Sequence, residues 1–145
     1  MFKVGIIGDE ASQDFQTVVD MAVEFNLDSI EVRSVWDKAP QELTDQDIDN
    51  MKQILEGTNV KIIGIASPFY KCDIDNTEER KEHINILKWC IKLAKAFDVN
   101  LIRTFVFWKI DNIEERWGEI VGSYDEPVRI AESEGITLGM ENEYS

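Results

Sequence analysis

The 145-residue sequence predicts a parallel α/β protein of (βα)4β order, curved as a segment of a barrel. Three observations lead there. Short β-rich runs alternate with stretches of helical periodicity along the whole chain. The connections between them are short, so consecutive strands are joined by right-handed crossovers and run parallel. Each strand with a charge in it is apolar on one face only, and Glu31, Arg33, Arg103 and Glu141 gather on the other.

The elements follow in order. "FKVGIIG" (2–8) is a short strand ending in Gly. "SQDFQTVVDMAVEF" (12–25) is a helix with Phe15, Val18, Val19, Ala22 and Phe25 at helical spacing and Ser12 as its cap. "DSIEVRSV" (28–35) is the second strand. "TDQDIDNMKQILEG" (44–57) is a helix opened by Thr44 with Asp47 three residues on, a capping box, and closed by Gly57. "VKIIGIAS" (60–67) is the third strand, stopped by Pro68. The longest helix is "NTEERKEHINILKWCIKLAKAF" (76–97), buried through Ile84, Leu87, Cys90, Ile91 and Ala94; its His83 falls in a polar stretch and is expected in solvent. "NLIRTFVFW" (100–108) is the fourth strand. Residues 112–135 are helical, with Gly122 and Pro127 splitting the run near 123–126. "ITLGMEN" (136–142) is the fifth strand.

Composition narrows the function classes. The 29 acidic residues against 15 basic ones give a net charge of −14, which repels phosphate backbones and anionic lipid, so nucleic acid and membrane surfaces are poor partners. No apolar run approaches the ~18 residues of a membrane span, and the acidic start does not read as a signal peptide. Cys72 and Cys90 are too few for a disulfide framework and lack metal-ligand spacing. A reduced, cytoplasmic protein of one domain is the expectation.

Five strands in this length also suit a flavodoxin-like open sheet or a receiver-type binding module, although a receiver wants an aspartate where the third strand here exits into "ASPF". An open sheet between two helix layers needs both strand faces apolar. In the fifth strand Ile136, Leu138 and Met140 point one way and Thr137, Gly139 and Glu141 the other; in the second, Ile30 and Val32 oppose Glu31 and Arg33. Helices outside and a polar interior leading to the strands' carboxyl ends explain this alternation, and Glu31 is expected to pair with Arg33 or Arg103.

"DSIEVR", "IIGIASPFYK", "LIRTFVFW" and above all "GITLGMENE", in that order, resemble the second to fifth strands of the xylose-isomerase-like TIM barrels, the sugar phosphate isomerase/epimerase superfamily. The resemblance implies that residues 1–145 are a single partial domain, strands one to five of a (β/α)8 barrel whose full length is roughly 250 residues. It implies a sugar or sugar phosphate as substrate and a divalent metal, Mn²⁺, Mg²⁺ or Co²⁺, once the barrel is completed. Glu141, the Glu of the Glu-Asn pair, is by this resemblance both the metal ligand and the acid/base group, with a structural ion pair to an arginine as the alternative. The other usual ligands come from later strands, so the 145 residues alone are expected to be an inactive amino-terminal portion. The exposed first and fifth strands leave a homodimer of half-barrels as another reading. The superfamily's apurinic-site endonucleases use histidines on strands three and four, which this chain lacks there.

Further candidates lie at the strand ends. Trp108, with Phe69 and Trp36, is placed to floor a sugar site; Ser67 and Lys71 flank the exit of the third strand as substrate contacts. Glu143 reads as a loop carboxylate outside direct coordination. Asp9 and Glu10 read as a helix-capping loop.

Overall fold

The computed structural model describes residues 2–141. Its five strands are β1 (Gly5–Ile7), β2 (Ser29–Val32), β3 (Lys61–Ala66), β4 (Leu101–Thr104) and β5 (Thr137–Met140). All are parallel neighbours in the order β1-β2-β3-β4-β5. A consecutive parallel order is what a barrel requires; a doubly wound sheet would reverse direction at a switch point. The flavodoxin-like and receiver-type alternatives fall on this order.

Five helices connect the strands: α1 (Phe15–Glu24), α2 (Asp45–Leu55), α3 (Thr77–Ala96), α4 (Trp117–Gly122) and α5 (Asp125–Glu134). Sequence-specific caps set their starts. The Asp14 carboxylate accepts from Thr17 N–H at 3.0 Å and so starts α1 three residues later than Ser12; the Ser12 hydroxyl instead accepts from Asp14 N–H. At α2 the expected capping box forms. Thr44 Oγ1 accepts from Asp47 N–H at 3.2 Å, and Asp47 Oδ2 accepts from Thr44 N–H at 2.8 Å. Lys38 Nζ adds 2.8 Å from the same oxygen, and with the Thr44 bonds it holds the Asp47 carboxyl down to about 2. Gly57 follows α2 with φ +79°, a conformation open to glycine. The helical run before β5 breaks at Ser123 and Tyr124, and Pro127 falls in the first turn of α5, where its missing N–H costs no intrahelical bond.

One face of the sheet builds the core. Ile30, Val32, Ile62, Ile65 and Ile102 meet Phe15, Val18, Met51, Leu87 and Leu93 from the helices. Burying such a side chain stabilises by about 1.5–3 kcal/mol each. The opposite face carries partly exposed Glu31 and Arg103 beside exposed Leu101 and Thr137. Between Ile30 and Glu31 the β2–β3 register shifts, so Ile30 opposes Ile62 while Glu31 opposes Gly64. This bulge leaves Ile63 as the extra residue, exposed among otherwise buried neighbours. Among the described residues no helix is long and apolar enough to cross a membrane.

Two expectations change. Phe25 closes α1 in solvent instead of the core. His83 is buried, because the loop after β3 folds over α3 and its Tyr70 N–H donates to His83 Nδ1 at 2.9 Å. Burial pushes the His83 imidazole below the usual histidine range, with Glu79 and Glu82 opposing. A lowered folded pKa means that the unfolded chain binds the proton first as pH falls through ~6.5. Stability is therefore present at neutral pH and drains away from there toward the folded pKa. Urea midpoints are expected to drop between about pH 7.5 and about pH 5, and to drop less in His83→Gln.

Candidate active site

The carboxyl ends of β1 to β5 bring the charged residues of the open face together. Arg103, in β4, lies between β3 and β5 and opposite Ala66 and Gly139. Its guanidinium is bracketed by two carboxylates. Nε approaches Glu31 Oε1 at 3.3 Å, an ion pair without hydrogen-bond alignment, and Nη1 donates to Glu141 Oε2. The three side chains are between 21% and 39% exposed, so this is a half-buried ionic row spanning β2 to the exit of β5.

Gly64 makes room for the row, and Gly139 for Leu101 beside it. A Cβ on Gly64 would sit 3.4 Å from Glu31 Cγ, and one on Gly139 would sit 3.2 Å from Leu101 Cδ1. The bulge in β3 is what places Gly64 under Glu31. Glu141 is positioned by its own backbone as well: its N–H donates to Thr104 O at 2.8 Å, carrying the β4–β5 pairing one residue past the strand.

Arg33 does not pair with Glu31. It reaches back to the turn after β1, with Asp9 Oδ2 at 2.9 Å and Glu10 Oε1 at 2.6 Å. Asp9 and Glu10 thus hold the exits of β1 and β2 together. The signal for this was present in the chain order, since adjacent strands of a barrel place their exits side by side.

The loops after β3 and β4 are joined along their backbones. Phe105 N–H donates to Phe69 O at 2.9 Å, Phe107 N–H to Tyr70 O at 2.8 Å and Trp108 N–H to Cys72 O at 2.9 Å. Tyr70 and Phe107 both have positive φ, +61° and +63°, and stack at 4.4 Å. Bulky residues seldom adopt that conformation, and such strain concentrates at functional sites. Lys71 Nζ lies 4.8 Å over the Phe105 ring and 5.5 Å over that of Trp108, and the Arg103 guanidinium lies 5.8 Å from the same Phe105 ring.

The candidates therefore divide. Glu141, Lys71 and Trp108 come together at the strand exits, Trp108 being 41% exposed. Ser67 is buried, and its hydroxyl donates to Arg103 O at 2.9 Å and accepts from Phe69 N–H at 3.2 Å, fastening β3 to β4. Phe69 is wholly buried against Tyr70 and cannot floor a site. Trp36, also at positive φ, packs edge-on against Phe15 of α1. Glu143 lies outside the described residues. Among the described residues no three His, Cys, Asp or Glu side chains converge to hold a metal ion, and Glu141 already faces a guanidinium. These residues do not make a metal centre by themselves.

A family model, Xylose isomerase-like TIM barrel, matches residues 19–145. The structure is similar to that of an IolI protein with a bound zinc atom (TM-score 0.76, 19% identity, 96% of this chain and 51% of that one). It is similar to a D-tagatose 3-epimerase-like protein (TM-score 0.75, 20% identity, 99% and 54%). A xylose isomerase-like TIM barrel protein from Mycobacterium smegmatis in complex with magnesium also matches (TM-score 0.69, 14% identity, 99% and 57%). The chain spans about half the length of these solved structures. No curated protein sequence matches it.

Arg103→Met should leave Glu31 and Glu141 without their shared cation. A half-buried cluster falls between exposed pairs and buried ones, so a loss of about 1–2 kcal/mol in urea unfolding is expected. Glu31→Gln combined with Arg103→Met should recover part of it. An unchanged midpoint in Arg103→Met would mean that the row contributes nothing to stability.

Proposed function

The chain belongs to the family of xylose isomerase-like TIM barrels, and we propose that it forms strands one to five of a single barrel domain that isomerises or epimerises a sugar. The observation that carries this reading is the Glu141 carboxylate at the exit of β5, on the open face of the sheet and in contact with a guanidinium. Interconverting an aldose and a ketose moves a proton between neighbouring carbons. Inverting a centre beside a carbonyl takes a proton from one face of a carbon and replaces it on the other. Both pass through an enediol. Glu141 takes that proton and, in an isomerisation, returns it to the neighbouring carbon; in an epimerisation a second acid group delivers a proton to the opposite face. The adjacent Arg103 donates to it through Nη1 and holds the carboxylate in place. Trp108 and Lys71 contact the sugar at the rim of the site. The D-tagatose 3-epimerase-like relative and a D-allulose 3-epimerase from Methylomonas in complex with D-allulose support a sugar substrate.

Metal dependence belongs to the same proposal. Glu141 would be one ligand beside others from later strands, and a bound divalent ion would polarise the substrate's carbonyl and hydroxyl oxygens. One carboxylate does not hold a divalent ion tightly, so the 145 residues alone are expected to show no metal-dependent ketose turnover.

In the polypeptide carrying the strands that close the barrel, Glu141→Gln should preserve the fold and lower turnover by about 10²–10⁴-fold or more, the share of general acid–base catalysis. Steady-state assays on ketohexoses, with circular dichroism as the folding control, test it. Glu143→Gln should lose much less. Equal losses at both positions would move the role away from Glu141, and full activity of Glu141→Gln would remove the proposal.

A further inference from the structure

We infer that His83, a residue outside the site, positions the rim of the site and releases it on protonation: the neutral imidazole latches the β3 loop onto α3, and the imidazolium frees that loop. The inference rests on the sugar-isomerase reading for what the rim serves, and adds control of that site by pH.

The latch is one hydrogen bond with a required protonation state. Tyr70 N–H donates to His83 Nδ1 at 2.9 Å, and both residues are buried. A ring nitrogen that accepts carries no proton, so the imidazole is neutral with its proton on Nε2. A proton added at Nδ1 sets two donors against each other, and the bond is lost.

What the bond holds is strained backbone. Tyr70 has φ +61°, a conformation that a bulky residue keeps only while its surroundings enforce it. Tyr70 O accepts from Phe107 N–H at 2.8 Å and Cys72 O from Trp108 N–H at 2.9 Å, so the β3 loop carries the β4 loop with it. The Tyr70 and Phe107 rings stack at 4.4 Å, and Trp108 stands exposed at the end of this series. A change at His83 thus reaches the indole at the rim through backbone bonds.

The groups around His83 give each state its support. The Phe69 and Tyr70 rings lie 6.4 Å and 6.5 Å from the imidazole and keep water from it. Desolvation by burial holds the latched ring below the usual histidine range, with Glu79 and Glu82 of α3 opposing. Tyr70 and Cys72 of the loop, and Tyr124 behind them, are pushed up to about 12 and stay neutral near pH 6. Arg80, also on α3, acts on Tyr70 and Cys72. An imidazolium that leaves the loop finds the Glu79 carboxylate one helical turn back.

The sign of the effect follows. The latched form binds a proton less readily than the released form, whose imidazole titrates near ~6.5. Below that value a falling pH favours release, by up to about tenfold per pH unit until the latched form also takes the proton.

Amide hydrogen exchange on the polypeptide carrying the strands that close the barrel tests this without substrate. The Tyr70, Phe107 and Trp108 amides should exchange through an opening insensitive to low urea, unlike Ile102 in the core. Corrected for intrinsic exchange, that opening should grow by up to about tenfold per pH unit below about 6.5. His83→Asn keeps an amide oxygen near the Nδ1 position and does not titrate, so its loop should stay closed and level with pH. His83→Leu should exchange fast at every pH. With a ketohexose that the polypeptide turns over, KM should rise below about pH 6.5 in the wild type and not in His83→Asn. A loop opening that is level with pH in the wild type, or that still grows in His83→Asn, overturns the inference. So does exchange of the three amides only by urea-sensitive global unfolding, or a KM that stays level while the loop opens. Its fate is separable from that of the isomerase reading: absence of sugar turnover defeats the latter, and exchange alone then decides the latch.

Discussion

A parallel sheet covered by helices on one face has to solve the opposite face separately, and in this chain the solution is a shared cation. Ile30, Val32, Ile65 and Ile102 satisfy the helix side by burial. On the other side Arg103 stands between Glu31 and Glu141, linking β2, β4 and the exit of β5 across strands that do not all touch. Like charges placed that close would repel; one guanidinium between them turns repulsion into a tie. Gly64 and the bulge in β3 make sense as consequences, because together they clear space under Glu31.

The same row gives the site its chemical character. A carboxylate held by backbone pairing to Thr104 and by a guanidinium is fixed in position. The strand exits around it divide labour. The β1 and β2 exits are closed by the ion pairs of Arg33, while those of β3 and β4 are sewn by three backbone hydrogen bonds and carry the strained aromatic residues. Strain of this kind persists only where surrounding contacts enforce it. The Tyr70 stack on Phe107 and the Tyr70 hydroxyl bond to Ser123 O provide them. His83 supports that loop from beneath through the Tyr70 N–H. A core histidine therefore links α3 to the segment that presents Lys71.

Strand order, helix placement and the split before β5 could be read from the sequence because each depends on local signals: period, caps, glycine and proline. The Thr44–Asp47 box is an interaction over three residues, and it formed as its spacing implied. Glu141 was legible too, since alternation along a strand fixes which face a side chain takes once the apolar face is known. An ion pair with an arginine is the alternative to the metal-ligand role that the resemblance implies, and the structure supplies Arg103 as that partner.

What the sequence could not fix is where loops lie and which partner a charge selects. His83 sits in a polar stretch, yet the path of the β3 loop buries it; Phe69 and Ser67 leave the site for the core by the same path. Arg33 had Glu31 two residues away on its own strand face, but the turn after β1 offered two carboxylates at shorter reach. The chain by itself determined the order of elements and the face each strand residue occupies, because those follow from periodicity and from caps a few residues long. Tertiary structure alone decided the ion partners, the register shift opposite Glu31 and the seat of Lys71 over two rings. These depend on backbone segments brought together across the sheet, whose spacing no local pattern encodes.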